Sequence, residues 1–299
     1  APEGATGGVD VRGGAPASRE TDLLRPENTV DKVHAVCLSG GSAFGLEAAS
    51  GVARELESRG IGLPVGPTQV PIVCSSCIFD LAFGNPTVRP DIEAGIAAVR
   101  EALDNTPTKL EQGNVGAGTG ATVGKLMGPA TCMKAGLGAA ALALGPIKVG
   151  AVVSVNACGN VVDPFTGEWV AGMRAAADSD QIVDMELAAF AAAGSMQMPL
   201  DRTNTTISCI VTNVELTKAQ ATKVSQMAAD AYAHAIRPTH TTNDGDTIYT
   251  LASGKLGAQP SAAVPLDLLG MLAVRALETA IVNGAKTAKT SHGTPGAAK

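Results

Sequence analysis

The sequence predicts an α/β protein built in layers. Strand-like and helix-like segments alternate along its length, the helical ones are apolar enough to cover sheets, and the core is made of small side chains. Hydrophobic residues make up 45 % of the chain and charged residues 17 %, the balance of a globular rather than a disordered protein. Aromatics are only 3 % while glycine numbers 35. Layers with so few large rings must approach closely to fill space, which suits stacked sheets and helices. A length of 299 residues allows one large domain or two medium ones. No low-complexity linker divides the chain, so a single domain over residues 1–299 is expected.

Residues 32–38 read as a short apolar strand running into Ser39-Gly40-Gly41-Ser42. Ser42 is placed to cap a helix through about Arg59, closed by Gly60. Residues 71–81 read as a second apolar strand, and Asp91, after Pro90, caps a helix to about Asp104. The apolar region 139–157 is interrupted by Gly145-Pro146. It reads as a helix followed by a buried strand over 149–156, not as a membrane span. Asp163-Pro164-Phe165-Thr166-Gly167 is a turn, and 174–203 reads as a mobile segment, partly helical and then polar. A strand over 205–214 follows. Thr217 and Gln220 form a capping box for a helix to about Ile236, with Val224, Met227, Ala228, Ala231 and Ala235 as its buried stripe. Asn243-Asp244-Gly245-Asp246 is a tight turn feeding a strand over 247–252. A last helix spans roughly 262–283, and the polar tail from Lys286 is expected to fray.

The net charge of −6, with no basic run interleaved with aromatics, argues against a general nucleic-acid binder. His34, His234, His240 and His292 show no metal-ligand spacing. Six cysteines lie mostly in apolar, strand-like surroundings, which reads as buried thiols in a reducing compartment, hence a cytoplasmic protein. Cys74-Ser75-Ser76-Cys77 lacks the second pair that zinc requires, so core packing is expected there. Ala1-Pro2-Glu3-Gly4 has neither the basic start nor the apolar stretch of a secretory leader.

The junction Asn204-Thr205-Thr206 stands at the mouth of a strand, where a hydroxyl is held on a rigid sheet edge. If the chain is cut between Asn204 and Thr205, Thr205 gains a free α-amine beside its own hydroxyl, a nucleophile with a built-in base. The glycine-rich run over 113–124 ends in Lys125. A phosphate-binding Walker loop fails twice, because Thr119 stands where its first glycine belongs and Leu126 where Ser or Thr belongs. A dinucleotide fingerprint needs an apolar strand leading in, and Gln112-Gly113-Asn114 is a poor one. A tight turn with close backbone packing explains the glycines but not Lys125; a lysine in a dry pocket lowers a neighbour's pKa or orients a nucleophile. Asn156, at a strand end, is either a turn residue or an amide donor to a developing oxyanion, worth roughly 3 kcal/mol. Asp244 and Asp246 are either a solvated turn or hydrogen-bond partners for a hydroxyl or amine nucleophile.

Five further motifs carry a resemblance. They are Val9-Asp10-Val11-Arg12-Gly13-Gly14-Ala15-Pro16, the stretch 38–46, the stretch 60–66, Asn114 through Lys125, and Asn156 with Val162-Asp163-Pro164. From residue 8 to about 283 the chain resembles the L-aminopeptidase/D-esterase (DmpA-like) family, which includes β-aminopeptidases and nylon-oligomer hydrolases. Asn204-Thr205-Thr206-Ile207-Ser208 is most similar to the nylon-oligomer branch, which also uses Thr. The resemblance implies an αββα sandwich, self-cleavage into 1–204 and 205–299, and homo-oligomers of those pairs. It implies small peptide or amide substrates and no metal or organic cofactor. It also implies Thr205 as nucleophile, Lys125 and Asn156 as active-site residues with Asn156 the oxyanion donor, and Asp244 and Asp246 as supports for the nucleophile. Two departures stand out. The family has further strand residues ahead of Val9, so an edge strand is expected to be missing, and Thr in place of the usual Ser narrows the space around the hydroxyl. The rival expectations are an acyltransferase like those of arginine biosynthesis, which share the fold and a Thr nucleophile, and an uncleaved scaffold without activity.

Overall fold

Two sheets pack face to face, and helices cover the outside of each. The computed structural model describes residues 1–106, 108–193, 204–257 and 264–298. In chain order the strands are β1 (Thr6–Val11), β2 (Ser18–Arg19), β3 (Ala35–Ser39), β4 (Leu63–Val65), β5 (Thr68–Val70), β6 (Val73–Cys77), β7 (Thr122–Val123) and β8 (Met133–Lys134). They continue with β9 (Leu137–Leu144), β10 (Ile147–Ser154), β11 (Asn160–Val162), β12 (Trp169–Ala171), β13 (Ile207–Thr212), β14 (Ile236–Arg237) and β15 (Thr247–Ala252). The helices are α1 (Glu47–Ser58), α2 (Ile92–Asp104), α3 (Met185–Ala192), α4 (Lys218–Ala228), α5 (Asp230–Ala235) and α6 (Leu266–Lys286).

The larger sheet has the order β1-β15-β13-β10-β9 and is antiparallel except for the parallel pair β13–β15. Successive side chains of a strand face opposite layers. Ile210 and Ile248 enter the core shared with α4, α5 and α6, while their neighbours Cys209 and Tyr249 meet Val36, Leu38 and Cys74 of the smaller sheet. That sheet, β2-β6-β3, turns Val73 and Ala35 toward Ala49, Val52, Leu56 and Val99 of α1 and α2. The layers are therefore helix, sheet, sheet, helix, as the resemblance implied. The Tyr249 hydroxyl ties the two sheets together, donating to the Ser75 carbonyl at 2.9 Å and sharing a 2.7 Å hydrogen bond with Ser76 Oγ.

Local signals held where a side chain satisfies its own backbone. Asp91 Oδ1 accepts the Ala94 N–H at 2.9 Å, and the Thr217–Gln220 capping box is fully formed. Along the following helix Val224, Ala228, Ala231 and Ala235 are buried and Met227 is half-buried, although the helix breaks at Ala229 into α4 and α5. The turn at 163–167 is present, with Gly167 at φ +76. Cys74 and Cys77 are buried free thiols, matching a packing role. Among the described helices, α6 alone is long and apolar enough to cross a membrane, and most of that stretch is buried in the core.

Three expectations are corrected. Residues 139–144 are strand β9 rather than a helix. Alanine's helix preference is only a fraction of a kcal/mol per residue, and antiparallel pairing with β10 along its whole length, through a turn at Gly145 (φ +55), overrides it. Gly138 lets α6 lie directly on this strand, since a Cβ there would stand 1.9 Å from the Ala280 carbonyl oxygen. Ser42 does not cap a helix. It sits at φ +55 in a 3-10 turn, Ser42–Leu46, its N–H taken by the Ile78 carbonyl, and α1 begins only at Glu47. The N-terminal residues form β1, which stands at one edge of the larger sheet, paired with β15. The tail from Lys286 does not fray: Lys289 pairs with Asn114, and the Pro295 carbonyl accepts the Lys134 N–H. Of the segment expected to be mobile, α3 is a capped helix with Asp184 accepting from Glu186 and Leu187; residues 194–203 lie outside the described residues.

Tyr249→Phe deletes the hydroxyl that bridges the sheets and strands a buried carbonyl, which should cost about 1–3 kcal/mol. Urea unfolding should show a lower midpoint with an unchanged slope.

Candidate active site

Strand register brings three strand ends to one place. β10 runs antiparallel to β13 with Ser154 opposite Ile207, and β13 runs parallel to β15 with Ile207 beside Thr247. The residues just outside those pairs therefore meet: Asn156 beyond β10, Thr205 ahead of β13 and Asp246 ahead of β15. The Thr205 N–H donates to the Asn156 carbonyl at 2.9 Å, and the Gly245 N–H to the Asn204 carbonyl at 3.1 Å. The Thr206 N–H donates to Asp246 Oδ1 at 2.7 Å. The Thr205 hydroxyl lies against the Asn204 carbonyl oxygen, to which it donates. Thr206 Oγ1, by contrast, is buried without a partner among the described residues.

Lys125 reaches this point from the glycine-rich run. Gly124, at φ +74, passes so near the next segment that a Cβ would stand 2.0 Å from the Met173 nitrogen. Gly124 and Lys125 then donate their N–H groups to the Gly159 and Cys158 carbonyls, both at 3.0 Å. This is the close backbone packing the glycines implied, and the lysine is what it delivers. Lys125 Nζ donates to Asn156 Oδ1 at 2.7 Å and to the Asn156 carbonyl at 3.3 Å. Burial draws the Lys125 pKa down to about 8, opposed by the negative groups around it, Asp244 and Asp80 among them. Asn156 is fully oriented: Oδ1 also accepts the Thr122 N–H at 3.1 Å, and Nδ2 donates to the Phe79 carbonyl at 2.8 Å.

The Asp244–Asp246 loop is buried rather than solvated. Asp244 Oδ2 accepts the Thr241 N–H at 2.6 Å, while Oδ1 is buried with no partner among the described residues. Burial, and next the charge of Asp246, push the Asp244 pKa up. Asp246 Oδ2 accepts from His240 N at 3.2 Å, His240 Nδ1 at 2.8 Å and Thr239 Oγ1 at 3.3 Å. The His240 ring stacks on Tyr232 at 5.3 Å, and the Tyr232 hydroxyl donates to the Thr206 carbonyl. From the other side the Arg12 and Ala15 N–H groups donate to the Asp246 and Asp244 carbonyls, and a Cβ on Gly13 would stand 2.2 Å from the Asp244 oxygen.

Thr205, Lys125, Asn156, Asp244 and Asp246, with Asn204, thus come together as the sequence suggested. A cavity of about 160 Å³ opens beside them, lined in part by Asp80, Phe83, Thr122, Lys125 and Thr294. Asp80 was not foreseen. It follows the buried strand β6, accepts the Gly41 N–H through Oδ1 at 2.7 Å, and has its pKa pushed up by burial. Only the fold sets it near Lys125. His240 and Tyr232 were also missed as parts of the site. A search for metal spacing among histidines does not find a histidine whose partner is a single carboxylate. Among the described residues no group of three or more His, Cys, Asp or Glu is placed to hold a metal ion.

A model described as peptidase family S58 matches residues 1–298. An uncharacterized aminopeptidase of Mycobacterium leprae is 42 % identical over 274 residues, covering 89 % of this chain and 73 % of that protein. A 6-aminohexanoate-oligomer endohydrolase of a Kocuria species is 30 % identical over 95 % of this chain and 78 % of its own length. Among solved structures, the L-aminopeptidase D-Ala-esterase/amidase of Ochrobactrum anthropi, described as a variant of the Ntn-hydrolase fold, superposes with a TM-score of 0.62. That match covers 99 % of this chain and 78 % of the other at 17 % identity, a likeness of fold.

Asp246→Asn puts an amide NH₂ among groups that are all donors, so at least one buried N–H loses its acceptor. Stability should fall by about 1–3 kcal/mol, read as a lower midpoint in denaturant. Turnover at saturating substrate should fall with it, by at least about tenfold.

Proposed function

The chain belongs to peptidase family S58 and is a hydrolase of the aminopeptidase or amidohydrolase type; from that premise we propose that Thr205 is its nucleophile, released by cleavage after Asn204. The observation that carries this reading is the contact between the Thr205 N–H and the Asn156 carbonyl, with Lys125 Nζ on the same asparagine. The Thr205 hydroxyl, which donates to the oxygen of the preceding carbonyl, is near enough to support an N-to-O acyl shift once it turns toward the carbonyl carbon. Thr205 Oγ1 attacks the Asn204 carbonyl carbon, the C–N bond breaks as the proton passes to nitrogen, and water hydrolyses the resulting ester. Residues 1–204 and 205–299 are then separate chains, and the nitrogen that donated to Asn156 becomes an α-amine held at the same carbonyl.

In turnover that amine, with an intrinsic pKa of about 7.7–8.0, accepts the hydroxyl proton as Oγ1 attacks a substrate amide or ester. The amine or alcohol leaves, and water releases the acyl group. An amide side chain has two N–H donors; Asn156 Nδ2 gives one to Phe79, and the other serves the tetrahedral oxyanion. Asp246 fixes Thr206, and through it the nucleophile. Asp80, in the cavity wall near Lys125, offers a carboxylate to the free amine of an aminoacyl substrate. The same reading has the processed pairs assembling into a homo-oligomer.

On a denaturing gel the wild type should give two bands, the smaller beginning at Thr205, and Thr206→Ala should do the same. Thr205→Ala should remain one chain without turnover; a variant that keeps activity sinks the assignment. The pH profile separates the two candidate bases. A proton acceptor must be unprotonated, so kcat should rise with pH through about 8, where Lys125 also titrates. In Lys125→Met the rise should persist at a lower plateau, whereas a flat profile makes Lys125 the base.

A further inference from the structure

The C-terminal segment that sequence alone would leave loose is tied down at both ends. Asn114 exchanges two hydrogen bonds of 2.9 Å with the backbone of Lys289. The Lys134 N–H donates to the Pro295 carbonyl at 2.8 Å, and the Ala298 N–H returns to the Ala288 carbonyl at 3.0 Å. Between these anchors residues 291–294 make a reverse turn, closed by backbone hydrogen bonds of 3.0 and 2.9 Å between Ser291 and Thr294, with Gly293 at φ +76. The turn reaches the cavity beside Lys125. Thr294 is part of its lining with Asp80 and Phe83, and the His292 ring meets Phe83 edge-on at 5.1 Å.

One buried residue coordinates this hook with the active-site loop. Lys134 Nζ donates to the carbonyls of Gly118, Ala121 and Ala135 at 2.6–2.8 Å and lies 5.3 Å from the Phe83 ring centre. The same residue's N–H holds Pro295. The glycine-rich run that delivers Lys125 and the turn that carries Thr294 are therefore fixed to each other. Both walls of the cavity are held by several hydrogen bonds, those of Lys134 Nζ fully buried, unlike a mobile lid.

A cavity of about 160 Å³ has about the volume that takes a single benzene-sized group. Resting on the hydrolase reading above, we propose that the hook, through Thr294, is the specificity wall for the acyl part of the substrate. It admits one aminoacyl side chain, whose free amine is held by Asp80, and excludes bulkier acyl groups. Because the hook lies in the segment after residue 205, the wall stays on the chain that bears the nucleophile once processing has occurred.

The test compares wild type, Thr294→Phe and Thr294→Gly on alanyl, leucyl and phenylalanyl p-nitroanilides, after processing is checked on a denaturing gel. Pocket contacts of one or a few methylenes change kcat/KM by roughly ten- to two-hundredfold. Thr294→Phe fills the cavity and should lower kcat/KM for the leucyl and phenylalanyl substrates by at least about tenfold, mainly through KM, with the alanyl substrate within about threefold. Thr294→Gly should raise the phenylalanyl-to-alanyl ratio by at least about threefold. If Thr294→Phe fails to fold, Thr294→Gly decides alone. A common factor across all three substrates, or no change, overturns the wall while leaving the hydrolase reading intact. A processed wild type that turns over none of the three overturns the wall alone, whereas a wild type that stays one band on the gel overturns the Thr205 reading on which the wall rests.

Discussion

The parallel pairing of β13 with β15, locked in register to the antiparallel β10, is the constraint on which the site depends. It places Ile207 between Ser154 and Thr247, and the candidate site residues Asn156, Thr205 and Asp246 follow just beyond those positions on three strands. A one-residue slip turns every side chain of the slipped strand to the opposite face; between β10 and β13 it parts Thr205 from Asn156, and between β13 and β15 it parts Thr206 from Asp246. The alternation of Ile210 and Ile248 toward the helices with Cys209 and Tyr249 toward the second sheet makes such a slip expensive, because both faces of these strands are buried. The placement of Thr205 is thus inherited from packing on both sides of the sheet, not from the loop that precedes it.

Burial also sets the electrostatics. Lys125, Asp80 and Asp244 all lie where desolvation disfavours their charged forms, so each moves toward neutrality unless a neighbour offsets the cost. They offset one another: the attraction between Lys125 and the two carboxylates opposes the burial effect in all three groups. The Thr205 nitrogen that donates to the Asn156 carbonyl belongs to the Asn204–Thr205 peptide link and stays on Thr205 as an amine that can still donate there, and the bond from the Thr206 N–H to the Asp246 carboxylate lies outside that link. On the proposed cleavage they remain to hold the new N-terminus, which is how a chain break leaves a site ordered.

Much of the site was legible because its residues carry local signatures. The Asn204-Thr205-Thr206 junction precedes a clear strand, Asp244 and Asp246 flank a glycine in a turn, and Lys125 closes a run of glycines that no nucleotide motif explains. What stayed hidden has no local signature. Asp80 is a single acid after a strand, His240 a lone histidine, and the tail from Lys286 a polar stretch indistinguishable from a frayed end. Their roles come from partners far along the chain: Gly41 and the cavity for Asp80, Asp246 and Tyr232 for His240, Asn114 and Lys134 for the tail.

The fold divides along the same line. Caps at Asp91 and Thr217, the buried stripe from Val224 to Ala235, and the strands around Val149, Ile207 and Thr247 were determined by sequence alone, because each rests on hydrogen bonds or periodicity within a few residues. Tertiary structure decided that the alanine-rich 139–144 is a strand, that Ser42 sits in a tight turn, and that the last residues fold back over the cavity. In each case the local preference is worth a fraction of a kcal/mol, and a longer-range pairing outweighs it. Small side chains make that possible. Glycine and alanine specify little by themselves but let backbones approach, as at Gly138 under α6 and Gly124 beside Met173, and only the assembled layers show which approach is made.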